Sequence, residues 1–119
     1  MTQSFIIHFL LTKGYSSRYR GFYNLVDVLS YSTAHPDRLH SIMDVYKATA
    51  ERSGTGSANI EHNIRYLLEA HHIAMGLGNT PRSGNKSIIR HLTLELLELE
   101  RTLMYENGPT VFTVGPKDP

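Results

Sequence analysis

Between two glycine-bearing turns, Ser53-Gly54-Thr55-Gly56 and Gly76-Leu77-Gly78, the stretch from Ser57 to Met75 places its apolar residues at helical spacing. These are Ile60, Ile64, Leu67, Leu68 and Met75. Steps of three and four put side chains on one face of an α-helix, whereas a half-buried strand needs alternation. The stretch therefore reads as an amphipathic helix that must bury one stripe, with glycine on either side to stop it. Such a helix needs neighbours that bury it, and the rest of the chain supplies the same pattern.

Four further helical segments can be read. The first, Thr2–Thr12, carries Phe5, Ile6, Phe9 and Leu10 and stops at Gly14. The second starts at Ser16 or Ser17, either of which suits an N-cap, and carries Phe22, Leu25, Val26 and Leu29. Pro36 suits the first turn of a third segment that runs through Leu39, Ile42, Met43, Val45 and Tyr46 towards Arg52, with room to divide in two. The fifth helix runs from Lys86 to Glu106 and is closed by Gly108-Pro109. Only Thr110–Val114 alternates, and weakly; no internal repeat occurs. The expected fold is all-α, a compact bundle of about five to six helices in one domain over 1–107, with a Pro/Gly-rich tail over 108–119.

Composition narrows the function. The 119 residues hold 12 Lys+Arg and 11 Asp+Glu, a formal charge of +1, which excludes a strongly basic tail-type nucleic-acid binder and an acidic solvating protein. The charge is divided unevenly: residues 1–93 hold ten Lys/Arg against six Asp/Glu, and 94–119 hold two against five. The first part can face a polyanion; the last cannot do so comfortably. With no Cys, a disulfide scaffold, Cys-ligated zinc and a Cys nucleophile are out. The longest apolar run, Phe5–Leu11 broken by His8, is far short of the ~20 residues a membrane span needs. No basic residue precedes it and no cleavage site follows, so it is no secretory signal, and a cytoplasmic protein with no membrane partner is expected.

A short helix over Val45–Arg52, a turn over Ser53–Gly56 and the longer helix Ser57–Met75 follow the layout of a helix-turn-helix. With Ile60, Ile64, Leu67 and Leu68 inward, the outward face carries Asn59, His62, Arg65, Tyr66 and Glu69, and these groups can donate to or accept from base edges. A solvated helix face has the same appearance.

Three stretches carry a resemblance to a known family. Gly14, six residues, Gly21-Phe22 and Leu25 form the first. Ser41-Ile42 through Val45-Tyr46 and Ala50 form the second. Ser57 to Ala70 form the third, with Glu61, Ile64 and Arg65 as matching identities, and a weaker match runs from Asn85 through Ile89 to Leu96. In order and spacing, over about residues 5–100, the chain resembles the C-terminal DNA-binding effector domain of the stage-zero sporulation protein A family. The resemblance implies a six-helix domain that binds short operator boxes on double-stranded DNA as head-to-tail dimers, with its recognition helix in the major groove. It makes Asn59, Glu61, His62, Arg65 and Tyr66 the DNA-facing candidates. Arg65 suits a guanine edge or a phosphate, and Glu61 suits a cytosine or the anchoring of Arg65. The family carries Arg where this chain has Asn59 and His62, so a different operator and lower affinity are implied. It also has a longer, sigma-factor-contacting segment where this chain has only Gly76–Lys86, and normally a receiver domain ahead of the helices. The chain thus reads as a transcription regulator without those two parts.

Other groups fit this frame. Arg82 and Lys86, with Arg90, lie where a Gly/Asn/Ser loop enters a helix, a setting that suits a phosphate and equally an ordinary basic loop. Lys13, Arg18 and Arg20 form a second basic cluster that reads as solvated. The seven His include no metal-ligand spacing: His62 and His72 stand about 15 Å apart along the helix. His71 falls on the apolar stripe and reads as a hydrogen-bonded core histidine. No metal, cofactor or catalytic constellation is evident. Ile89, Leu92, Leu96, Leu99 and Leu103 form a 3-4-3-4 seam. Leu96, Leu99 and Leu103 are expected at a homodimer interface, because a small domain has difficulty covering so much leucine alone. The rival reading is a protein-interaction module, an antagonist that binds another regulator through this helix.

Overall fold

The computed structural model describes residues 1–78 and 84–107. The described residues form five α-helices and one 3-10 turn, with no strand among them: α1 Gln3–Thr12, α2 Arg20–Ala34, the turn Pro36–His40, α3 Ile42–Ser53, α4 Ser57–Ala74 and α5 Asn85–Asn107. The expected all-α bundle is what forms. The weak alternation at Thr110–Val114 and the tail over 108–119 lie outside the described residues.

Helix α2 is the centre, packing on α1, α3, α4 and α5. Its inward stripe of Phe22, Leu25, Val26, Val28 and Leu29 is at most 2% exposed. At about 1.5–3 kcal/mol for each fully buried apolar side chain, this stripe is the main source of cohesion between the helices. Two polar details fix how the partners sit. Ser32 and Thr93 are both buried, and their hydroxyls meet at 2.7 Å between α2 and α5. Thr93 also donates to the Ile89 carbonyl at 2.7 Å, so both short bonds form together when Ser32 donates to Thr93. On the other side, α2 approaches α4 so closely that Gly21 is required. A Cβ there would overlap the Asn63 carbonyl, 2.7 Å from its carbon, and lie 3.1 Å from the Leu67 Cβ. One turn on, the Asn63 amide donates to the Asn24 side chain at 2.9 Å.

The boundaries differ from expectation in instructive ways. Thr2 lies outside α1 as its N-cap, accepting from the Phe5 N–H at 3.1 Å. Helix α2 starts at Arg20 and not at Ser16 or Ser17. Tyr15 is buried in the core and its N–H reaches back to the Leu10 carbonyl, while the Ser16 hydroxyl accepts from the Arg18 N–H in a local turn. These bonds hold Tyr15–Arg18 as a connection anchored in the core by Tyr15. The Pro36 segment does divide: the 3-10 turn ends and α3 begins at Ile42, three residues before the expected Val45.

Helix α3 ends at Gly54, whose φ of +77° reverses the chain as L side chains rarely can, and α4 begins three residues later. The two helices pack against each other. Order, turn and packing fit a helix-turn-helix. The inward residues of α4, Ile60, Ile64, Leu67 and Leu68, are at most 1% exposed, so the predicted phase of this helix is correct.

Candidate nucleic-acid interface

Because the inward stripe of α4 is fixed by burial, its opposite face is fixed too. Asn59, His62, Arg65, Tyr66 and Glu69 are all exposed there, and Glu61 is half-buried at one margin. Arg65 is held by Glu61 one turn back in a charge-assisted hydrogen bond. Of the two roles expected for Glu61, the anchoring of Arg65 is the one formed. The Glu61 backbone carbonyl in turn accepts from the buried Asn85 side chain at 3.1 Å, which clamps the start of α5 to this margin.

That clamp brings Lys86 beside α4. Lys86 is exposed and lines an open cleft of about 610 Å³ together with Tyr46, Glu61 and Arg65. Arg82 lies outside the described residues.

The other margin was missed by sequence reasoning. Tyr66, 61% exposed, meets Tyr19 edge-on with ring centroids 5.7 Å apart. Tyr19 precedes α2 between the exposed Arg18 and Arg20. The contact therefore brings the Arg18–Arg20 stretch of the chain to the side of α4 opposite Lys86. The only sequence signal was the Arg-Tyr-Arg run itself. Lys13, the third member of the expected basic cluster, is taken by Glu95 of α5 at 2.7 Å and stacks over the Phe9 ring.

No family model, curated protein or solved structure matches the chain. The site must be judged on its own geometry. It is a strip of hydrogen-bonding side chains on one helix, with Lys86 beside one edge and the Arg18–Arg20 stretch joined to the other through Tyr19.

Two other expectations concern histidine and leucine. His71 is half-buried and stacked on Tyr15 at 3.8 Å, but its Nδ1 has no hydrogen-bond partner among the described residues. Stacking on Tyr15 and a hydrogen bond with the Gly14 backbone hold it, in keeping with the hydrogen-bonded histidine expected. Burial lowers its pKa, with His72 and Lys13 adding to the effect, against the hydrogen bond that the ring donates to the Gly14 backbone carbonyl. Among the described residues no three His, Asp or Glu side chains group as metal ligands do. On α5, Leu96 is 0% exposed and belongs to the core, which corrects its expected place at a dimer interface. Leu99 and Leu103 continue the same stripe past the edge of the core and are 38% and 39% exposed. Among the described residues, no helix is long and apolar enough to cross a membrane.

Proposed function

We propose that this chain is a sequence-specific, double-stranded-DNA-binding regulator of the sporulation-regulator effector type, reading the major groove with the outer face of α4. One observation carries the reading: Asn59, His62, Arg65 and Tyr66 form an exposed strip with Lys86 beside one edge and the Arg18–Arg20 stretch joined to the other through Tyr19. Base readout needs donors and acceptors at the centre, and register needs cations at the flanks to meet the two phosphate strands. Arg65, already oriented by Glu61, is the guanine or phosphate contact. Glu69 marks the end of the strip, since a carboxylate there faces solvent or a cytosine amino group but not a phosphate.

The exposed end of α5 supports an accompanying reading, that two copies pair through the stripe that Leu99 continues beyond the core. The same surface is what a protein-interaction module would use. Selection of bound sequences from random duplexes separates these readings. An enriched motif whose binding weakens steeply with salt is expected for the DNA reader. No enrichment, together with salt-insensitive capture of a protein partner, would establish the interaction module instead.

A further inference from the structure

A smaller pocket lies away from the base-reading strip. It is formed by the start of α1, the middle of α2 and the last turn of α3, and has a volume of about 170 Å³. Gln3, Asp27, Thr49, Arg52 and Ser53 line it. Every one of these side chains is polar, and none belongs to α4 or α5.

The acceptors gather around a carboxylate. Asp27 is half-buried, and besides Arg20 it is the only charged residue in α2. It accepts from the Gln3 side-chain amide at 3.1 Å through Oδ1, which leaves Oδ2 and the Gln3 side-chain carbonyl as open acceptors. Thr49 is 2% exposed, and its hydroxyl gives its proton to the Val45 carbonyl at 2.8 Å, so its lone pairs are what it has left to offer. Burial raises the pKa of Asp27, against the pull of the Arg52 guanidinium. A carboxylate taken partly out of water favours a cation beside it, yet among the described residues no ion pair joins it to Arg52.

The donors stand apart from this group. Arg52 and Ser53 are exposed and lie one turn, about 5 Å, beyond Thr49 on the same face of α3. The Ser53 hydroxyl accepts from the Thr55 N–H at 3.4 Å and keeps its own proton to donate. The pocket is therefore acceptor-lined and anionic at Asp27, and donor-lined and cationic one helical turn away.

We infer that this pocket binds a small zwitterion of the α-amino-acid class, its ammonium on Asp27, Gln3 and Thr49 and its carboxylate on Arg52 and Ser53. An ammonium brings three donors to three acceptors, and a carboxylate is the natural partner of a guanidinium. An amine alone leaves Arg52 unanswered, and a carboxylate alone leaves Asp27 so. A metal ion would meet a single carboxylate, and no metal-ligand group forms among the described residues. The volume lies below the roughly 300 Å³ at which ordinary ligand pockets begin, which limits the occupant to a short side chain. The inference does not rest on the DNA-binding reading.

The test is titration of the isotopically labelled full chain with L-alanine and L-serine at pH 7 and constant ionic strength, followed by nuclear magnetic resonance. The amides of Asp27, Thr49, Arg52 and Ser53 and the side-chain amide of Gln3 should move along one saturable curve. Ethylamine and propionate, each alanine with one charged group removed, should bind at least about tenfold more weakly, as loss of a charge-assisted hydrogen bond implies. Arg52→Gln, at an exposed position, should weaken alanine binding by the same factor without disturbing the core. Asp27→Asn keeps an acceptor for Gln3 and should do likewise; if that variant fails to fold, Arg52→Gln decides alone. No saturation with either amino acid, ethylamine or propionate binding as well as alanine, or unchanged affinity in Arg52→Gln would overturn the inference.

Discussion

Gly21→Ala tests the closest approach in the fold. Inside a helix, alanine is ordinarily favoured over glycine by about 1 kcal/mol. Here the added methyl would overlap the Asn63 carbonyl, 2.7 Å from its carbon, and lie 3.1 Å from the Leu67 Cβ. Ordinary carbon contacts need about 3.5–4.0 Å. The obstacle is backbone within α4, which no rotamer change relieves, so α2 and α4 must separate by about 1 Å at this end. That opens the seam holding Phe22, Ile64 and Leu67, each at most 1% exposed. Overpacking of this kind costs about 3 kcal/mol. After the gain in helix propensity, the net loss should be about 2 kcal/mol, or roughly 8 °C in Tm for a domain of this size. Urea and thermal unfolding followed by circular dichroism measure it. A variant as stable as the parent, or more so, would refute the claim that the helices touch at Gly21.

Three further outcomes are expected. Arg65→Ala should lower affinity for a selected duplex by about 1–3 kcal/mol and relax one base position, whereas an unchanged site profile would exclude Arg65 as a base reader. Leu99→Glu should leave helicity intact and reduce self-association, while Leu96→Glu should unfold the chain, because only the second buries a charge in the core; a parent chain that sediments as a monomer at high concentration would end the free-dimer reading. His71, with its folded pKa lowered by burial, binds a proton more weakly folded than unfolded. Its contribution is intact above the ordinary histidine range and is lost as pH falls through about 6.5, so the urea midpoint should drop on acidification, and drop less in His71→Phe.

The helices were legible because apolar spacing is local information, and burial then followed the predicted phase at Ile60, Ile64, Leu67 and Leu68. What failed was non-local. Ser16 and Ser17 have the chemistry of an N-cap, yet helix α2 waits until Arg20 because the core takes Tyr15 first. The repeat through Leu96 and Leu99 gives one stripe, and nothing in its spacing says where the rest of the bundle stops covering it. The outward face of α4 was readable from the same periodicity. Lys86 and the Arg18–Arg20 cluster were legible as basic residues, but their place at its margins was not, since it comes from contacts between residues far apart in the chain, Tyr19 with Tyr66 and Asn85 with Glu61. For the same reason the cleft at Tyr46, built from three helices, has no signature in any one of them.

The hydroxyl pair between Ser32 and Thr93 has a consequence for what the molecule shows to others. Helix α5 is marked with leucine or isoleucine at every third or fourth position, much as a ruler is marked, and apolar contacts alone would hold it nearly as well one or two turns displaced. Displacement would lose the bond between the two buried hydroxyls, each left with only a carbonyl of its own helix, at a cost of about 0.5–1.5 kcal/mol, and that asymmetry favours a single setting. The setting decides which graduations of the ruler fall inside and which protrude. A pair of small polar side chains in the interior thereby dictates the length of apolar helix offered at the surface, and replacing both with alanine should loosen the choice of assembly before it loosens the fold.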